Sequence, residues 1–204
     1  MAIESRKYWQ TYNGVHKENE WYFDLNQVFD LVKESFQSCP AYPIVMHGGC
    51  GSSNMCRSIN DYFENISCCL NVDFIMSEIN IQRNAFDPDS KSDFAQFDLK
   101  RIPVVDDYVD IIVEKGLFDS VTANHKLQSS NSNMLLNEYY RVLSKNNGVA
   151  FIFSIFGPNG EQKDMFGLLC HQNFTVQLVN IPISPLELPS EYFCYLYILR
   201  IKRQ

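Results

Sequence analysis

Apolar residues recur along the chain in two periods, and the switching between them predicts the architecture. Trp21, Leu25, Val28, Phe29, Val32 and Phe36 fall at helical spacing and predict an amphipathic helix from Glu18 to Gln37. Pro40 and Pro43 separate it from Ile44-Val45-Met46, a short apolar run suited to a strand covered on both faces. Met55, Ile59, Tyr62 and Phe63 return to helical spacing, and Ile66 to Val72 is again strand-like. A short helix over Ile75 to Arg83, a turn at Asp87-Pro88-Asp89-Ser90 and a third strand over Asp93 to Phe97 follow. A fourth strand runs through Tyr108 to Val113. The polar run Gln128 to Asn133 reads as a loop that caps a helix through Met134, Leu135, Tyr139, Val142 and Leu143.

Asn146-Asn147-Gly148 stops that helix, and Val149 to Ile155 makes a fifth strand. After a helical stretch over Gln162 to His171 come two strands, Phe174 to Ile181 and Phe193 to Ile201. Strands and helices alternate as far as Ile155, which predicts an α/β, doubly wound, Rossmann-like sheet. It would have seven strands, mostly parallel. The last two lack a helix between them and predict an antiparallel hairpin, closed by a loop holding Pro182, Pro185 and Pro189. With no repeat or linker, residues 1–204 read as one domain.

The candidate chemistry lies at the carboxyl ends of these strands, where such a sheet binds its ligands. The first strand runs into Gly48-Gly49-Cys50-Gly51-Ser52-Ser53, whose glycines allow a tight turn and close backbone approach. Ser52 or Ser53 can cap the next helix, leaving its first N–H groups toward a ligand. The next two strands end on Asp73 and Asp98, and the fourth on Glu114-Lys115. A carboxylate at Asp73 can accept both hydroxyls of a ribose, and Asp98 can accept an adenine amine. Strand-end aspartates also serve as turn formers. Asn54 stands where a dinucleotide motif needs its third glycine, and no Gly-Lys-Ser/Thr occurs. A nucleoside without a pyrophosphate fits best.

Composition narrows the partners. A formal charge of −7 argues against nonspecific nucleic-acid binding and fits a basic protein partner. Seven cysteines are scattered without a C-x-x-C, which points away from a metal site and toward a reducing, cytosolic setting. The N-terminus is polar and no apolar run is long enough to span a membrane. Both tryptophans, Trp9 and Trp21, stand in the leader, either to pack it on the sheet or to cover a cofactor.

Gly49-Cys50-Gly51-Ser52-Ser53, Asp73, Phe97-Asp98 and the stretch from Val109 to Asp119 resemble class I, seven-stranded S-adenosylmethionine-dependent methyltransferases. Glu114-Lys115-Gly116-Leu117-Phe118-Asp119, with Tyr8-Trp9 and Glu20-Trp21-Tyr22, is similar to the elongation factor 1-alpha lysine methyltransferases within that class. The resemblance implies S-adenosylmethionine as cofactor and a lysine of a basic, elongation-factor-like protein as acceptor. It places Gly49 and Gly51 at the methionine part, Asp73 at the ribose, and Asp98 with the Leu99 backbone at the adenine, with Phe74 also among the cofactor-binding residues. Lys115 would lie beneath the reacting centre, and residues 1–40, with Trp9 and Trp21, would cover the core of 41–204. Glu114 and Asp119 are the candidate catalytic acids, capping and hydrogen bonding being the other reading of both.

His47 departs from the family pattern, which has an acid there to help hold the cofactor's amino group. A neutral imidazole accepts a hydrogen bond but gives no charge pairing. Glu114 and Leu117 stand for the pattern's Asp and Thr. Two further functions stay open: a small-molecule methyltransferase, since fold does not fix substrate, and a non-catalytic scaffold, motivated by His47.

Overall fold

The computed structural model describes residues 6–15, 20–36, 39–62, 65–87, 90–158, 164–182 and 193–202. Its strands are β1 (Ile44–Gly48), β2 (Cys68–Asp73), β3 (Ser92–Gln96), β4 (Ile111–Lys115), β5 (Val149–Ser154), β6 (Phe174–Ile181) and β7 (Cys194–Ile201). The helices are α1 (Arg6–Val15), α2 (Leu25–Phe36), α3 (Met55–Tyr62), α4 (Met76–Ala85), α5 (Leu117–Val121), α6 (Gln128–Val142) and α7 (Met165–Leu169). The strands form one sheet in the order β3-β2-β1-β4-β5-β7-β6. Pairing is parallel from β3 to β5 and antiparallel where β7 inserts between β5 and β6. This is the doubly wound, mostly parallel sheet with an antiparallel end that the hydrophobic pattern predicts.

The central strands are buried on both faces, so alternate residues feed two separate cores. Val45, Ile111, Val113, Phe151 and Phe153 face the leader and α3. Met46, Ile112, Ala150 and Ile152 face α6, beneath Leu135, Leu136, Tyr139 and Val142. Such strands read as unbroken apolar runs because neither face meets water. The leader is anchored by aromatic contacts: Phe36 on Phe151 at 4.4 Å between ring centroids, and Phe23 on Phe153 at 5.4 Å.

The leader's helix is shorter than its periodicity implies. Glu18 and Gln37 lie outside the described residues, and within them α2 begins only at Leu25. Glu20 to Asp24 leave helical geometry because their groups are used elsewhere. Tyr22 has a φ of 65°, and the Phe23 carbonyl accepts a hydrogen bond from Lys115. Asp24 then starts α2 as a reciprocal cap. Its Oδ1 accepts from Asn26 N–H at 2.9 Å, while Gln27 Oε1 reaches back to Asp24 N–H at 3.2 Å.

Gln128 to Asn133 is not a loop but the opening of α6. Its polar side chains find tertiary partners: Asn131 donates to the Val121 carbonyl at 2.9 Å, and Ser132 to the Leu168 carbonyl. The fourth strand also starts later than predicted, at Ile111, with Val109 in an isolated bridge to Leu143. The helix after β5 is confined, among the described residues, to Met165–Leu169; Gln162 lies outside them, as do Phe63, Pro185 and Pro189.

Asp24→Ala removes the cap while leaving the apolar face of α2 intact. It should lower stability by about 1 kcal/mol in a denaturant titration. An unchanged midpoint would show that the cap is redundant with the aromatic anchors.

Candidate functional site

The site is built where β1, β2 and β4 end level with one another. Gly48 pairs with Val72 on one side and with Glu114 on the other. Strand order reverses between β1 and β4, and both chains turn sharply there. Gly49 and Gly51 after β1, and Gly116 after β4, have φ of 64°, 46° and 74°, a region L side chains rarely adopt. A Cβ on Gly49 would stand 3.1 Å from the Leu117 side chain, so the two turns press together. A Cβ on Gly51 would meet only a carbonyl oxygen at 4.0 Å, which leaves bare backbone there. Gln82 pins this turn by donating to the Gly51 and Ser53 carbonyls at 3.1 and 3.0 Å.

A cavity of about 1050 Å³ lies over these strand ends. Of the residues singled out from sequence, Trp9, Trp21, Gly49, Gly51, Asp73, Phe74, Asp98, Leu99, Lys115 and Asp119 line it, as does His47. Glu114 does not. It is 0% exposed on the opposite face of β4 from Lys115, where it accepts from the Phe118 N–H at 3.2 Å and the Tyr139 hydroxyl at 3.3 Å. Burial, reinforced by the charge of Asp119, pushes its carboxyl well above the usual range. It caps α5 and ties it to α6, so its expected place among the catalytic acids at the cavity is corrected.

Asp73 Oδ2 accepts from the Gly51 N–H at 3.0 Å and Oδ1 from the Ile75 N–H at 2.8 Å. Each oxygen keeps a lone pair for a ligand hydroxyl. Burial pushes this carboxyl up to about 6, and the backbone donors at Ile75 and Gly51 oppose the rise. Asp98 is exposed on the rim and accepts the Lys100 N–H at 2.9 Å.

The leader closes another side. Trp9 and Trp21 meet edge to face at 5.7 Å between ring centroids. Between them and β4 lies a group of contacts that sequence reasoning did not single out. Glu20 accepts from Ser53 Oγ at 2.7 Å, from the Asn54 N–H at 2.8 Å and from the ammonium of Lys115. Lys115 also donates to the Phe23 carbonyl at 2.7 Å and lies over the Phe23 ring. Burial lowers its pKa and Glu20 opposes that shift. Tyr22 donates to Asp119 Oδ2 at 2.9 Å, and Asp119 also accepts from Ser154 Oγ at 2.7 Å and the Ile155 N–H at 3.3 Å. Phe156 and the exposed His125 complete this end.

His47 is 1% exposed, with Nδ1 at 3.2 Å from Asn71 Oδ1 and 3.3 Å from Cys56 Sγ. Burial lowers its pKa to about 4, so it is neutral at pH 7. It brings no charge to the wall.

Residues 46–152, more than half of the chain, match the methyltransferase domain family. The chain belongs to that family. It is a class I methyltransferase, and its cofactor is S-adenosylmethionine. Solved structures share the fold at low identity. A TehB-like S-adenosylmethionine-dependent methyltransferase from Corynebacterium glutamicum superposes with a TM-score of 0.60 at 15% identity, covering 96% of this chain and 97% of its own. An S-adenosylmethionine-dependent methyltransferase from Methanosarcina mazei gives 0.65 at 12%, covering 84% and 98%. A chain from the complex of a Haloferax volcanii methyltransferase with the Trm112 methyltransferase activator gives 0.64 at 15%, covering 88% and 92%. No curated protein matches. The methyltransferase's residues fit this cofactor: bare backbone at Gly51, a strand-end carboxylate with lone pairs at Asp73, and a buried, partly aromatic wall. Among the described residues no group of His, Cys, Asp and Glu is placed to hold a metal, and no helix is long and apolar enough to cross a membrane.

The Asp73 carboxyl binds its proton more tightly in the fold than its ordinary value of 3.8 implies. Ionising it therefore costs stability as pH rises from that value to about 6, and the ionised form is the one that accepts two ligand hydroxyls. S-adenosylmethionine affinity, by calorimetry, should be flat above neutrality and weaken as pH falls through about 6. Asp73→Asn should bind roughly 2–3 kcal/mol more weakly and lose that pH dependence. A variant that keeps the wild-type profile would show that Asp73 only holds the two backbone turns.

Proposed function

We propose that this methyltransferase acts on a lysine side chain of a basic protein, as its resemblance to the elongation factor 1-alpha lysine methyltransferases implies. The observation that carries the reading is Asp119. Its carboxylate accepts from the Tyr22 and Ser154 hydroxyls and the Ile155 N–H, and it lies on a wall shared with Trp21, Tyr22 and Phe156. A carboxylate set among aromatic faces attracts the cationic end of an alkyl chain, by charge and by cation–π contact. The same cavity reaches solvent at Asp98 and His125, as a side chain arriving from another macromolecule requires.

S-adenosylmethionine, when bound, supplies a methyl group on a sulfonium that is already a good leaving group. The protein's task is then alignment and exclusion of water. Gly49 and Gly51 give the backbone surface, Asp73 with Phe74 holds the ribose, and Asp98 with the Leu99 backbone holds the adenine. Trp9 and Trp21 cover the site, residues 1–40 forming the lid of a single domain whose core is 41–204. Asp119 receives the lysine as its ammonium and, once one proton has passed to solvent at the open end of the cavity, orients the neutral amine by accepting an N–H while its lone pair faces the methyl group. A charge of −7 suits a basic partner, and seven free thiols suit the cytosol.

A small acceptor is the second reading, because a cavity of about 1050 Å³ lies at the upper end of ligand-pocket sizes. Incubation with methyl-labelled cofactor and cell lysate separates the two. The lysine reading expects label in a protein band that yields methylated lysine on hydrolysis, and Asp119→Asn should cut that labelling by at least about tenfold. Label confined to small molecules would overturn it.

A further inference from the structure

We propose that Glu20 is an electrostatic positioning residue of the cofactor site, neutralising Lys115 so that the cavity accepts a cationic ligand. The inference rests on S-adenosylmethionine as cofactor and is independent of the acceptor. Lys115 ends β4 on the cavity wall with its side chain 3% exposed, and Glu20 is its partner in the ion pair. The carbonyl of Phe23 and the Phe23 ring hold the ammonium in place but remove none of its charge. S-adenosylmethionine carries a sulfonium besides its ammonium and carboxylate, whereas its product, S-adenosylhomocysteine, has lost that positive charge. An uncompensated ammonium in a dry wall repels the former and not the latter.

Nothing at position 47 offsets this. His47 is neutral and turned toward Asn71, so the acid the family pattern places there is missing. Glu20 comes instead from the leader and is fixed by two further donors, Ser53 Oγ at 2.7 Å and the Asn54 N–H at 2.8 Å, at the start of α3. Those two bonds define the competing explanation, in which Glu20 is only a strap that holds the leader down. A strap would matter equally to both ligands; a charge would not.

The experiment is calorimetry with S-adenosylmethionine and S-adenosylhomocysteine on three proteins. Glu20→Gln keeps the shape and the Asn54 contact. It should weaken S-adenosylmethionine about tenfold and S-adenosylhomocysteine by less than about twofold. Adding Lys115→Met should return the ratio of the two constants to that of the wild type. Lys115→Met alone leaves Glu20 on Ser53 and Asn54 and should shift the ratio the other way, toward the sulfonium, which keeps the test valid if the first variant folds poorly. Equal weakening of both ligands by Glu20→Gln, or a ratio that none of the variants moves, would overturn the proposal. Wild-type protein that binds neither ligand would instead refute the cofactor assignment on which it stands.

Discussion

The level ending of β1, β2 and β4 is the constraint on which the site depends. Because Gly48 lies opposite both Val72 and Glu114, three chains must leave the sheet at one height and turn without colliding. The turns after β1 and β4 are packed so closely that Leu117 reaches the place where Gly49 would carry a Cβ. Left-handed glycines are the only inexpensive solution. Once the turns are this tight, backbone rather than side chain faces the cavity, and Asp73 at the end of β2 finds the Gly51 amide within reach. This backbone-lined wall thus follows from register before any catalytic group is considered.

The same geometry explains what could be read from sequence. A strand's apolar run and the residue that ends it are local facts, so the glycine turn, Asp73, Asp98 and Lys115 were visible as a set. Neighbouring residues on a strand point to opposite faces, and this separates Glu114 from Lys115. Lys115 joins the side of Val113 and the leader, while Glu114 turns to Tyr139 under α6. Strict alternation could have shown that both cannot line one cavity. Asp119 escapes this rule because it lies on a helix, one turn beyond the strand.

What the sequence concealed was the use of polar groups across long separations. Periodicity extends the leader's helix back through Trp21, yet Glu20 to Asp24 unwind because Lys115, a distant residue, needs both a carboxylate and a carbonyl from them. Asn131 and Ser132 look like loop formers for the opposite reason. Their local alternatives to the helix are replaced by carbonyls of α5 and the end of α7. For Lys115 and Ser132 the deciding partner lies 95 and 36 residues away, outside any local window; for Asn131 it lies 10 residues back, on a separate helix that local propensity does not reveal.

These bonds also determine how the leader is held to the core. An apolar flap would lie on the core by aromatic contact alone, as Phe36 does on Phe151. Here the flap carries the counter-charge of a buried lysine, so opening it leaves an ammonium without a partner in a poorly hydrated wall. Losing one member of such a pair costs about 3–5 kcal/mol, whereas replacing both with apolar groups can be neutral. The leader therefore cannot detach at Glu20 without water or another anion reaching Lys115. His47 contributes no charge of its own, so the charge balance along this part of the wall runs through a residue outside the sheet. Leader and sheet are joined by one ion pair, Glu20 with Lys115, although the hydrophobic pattern divides them at Pro40.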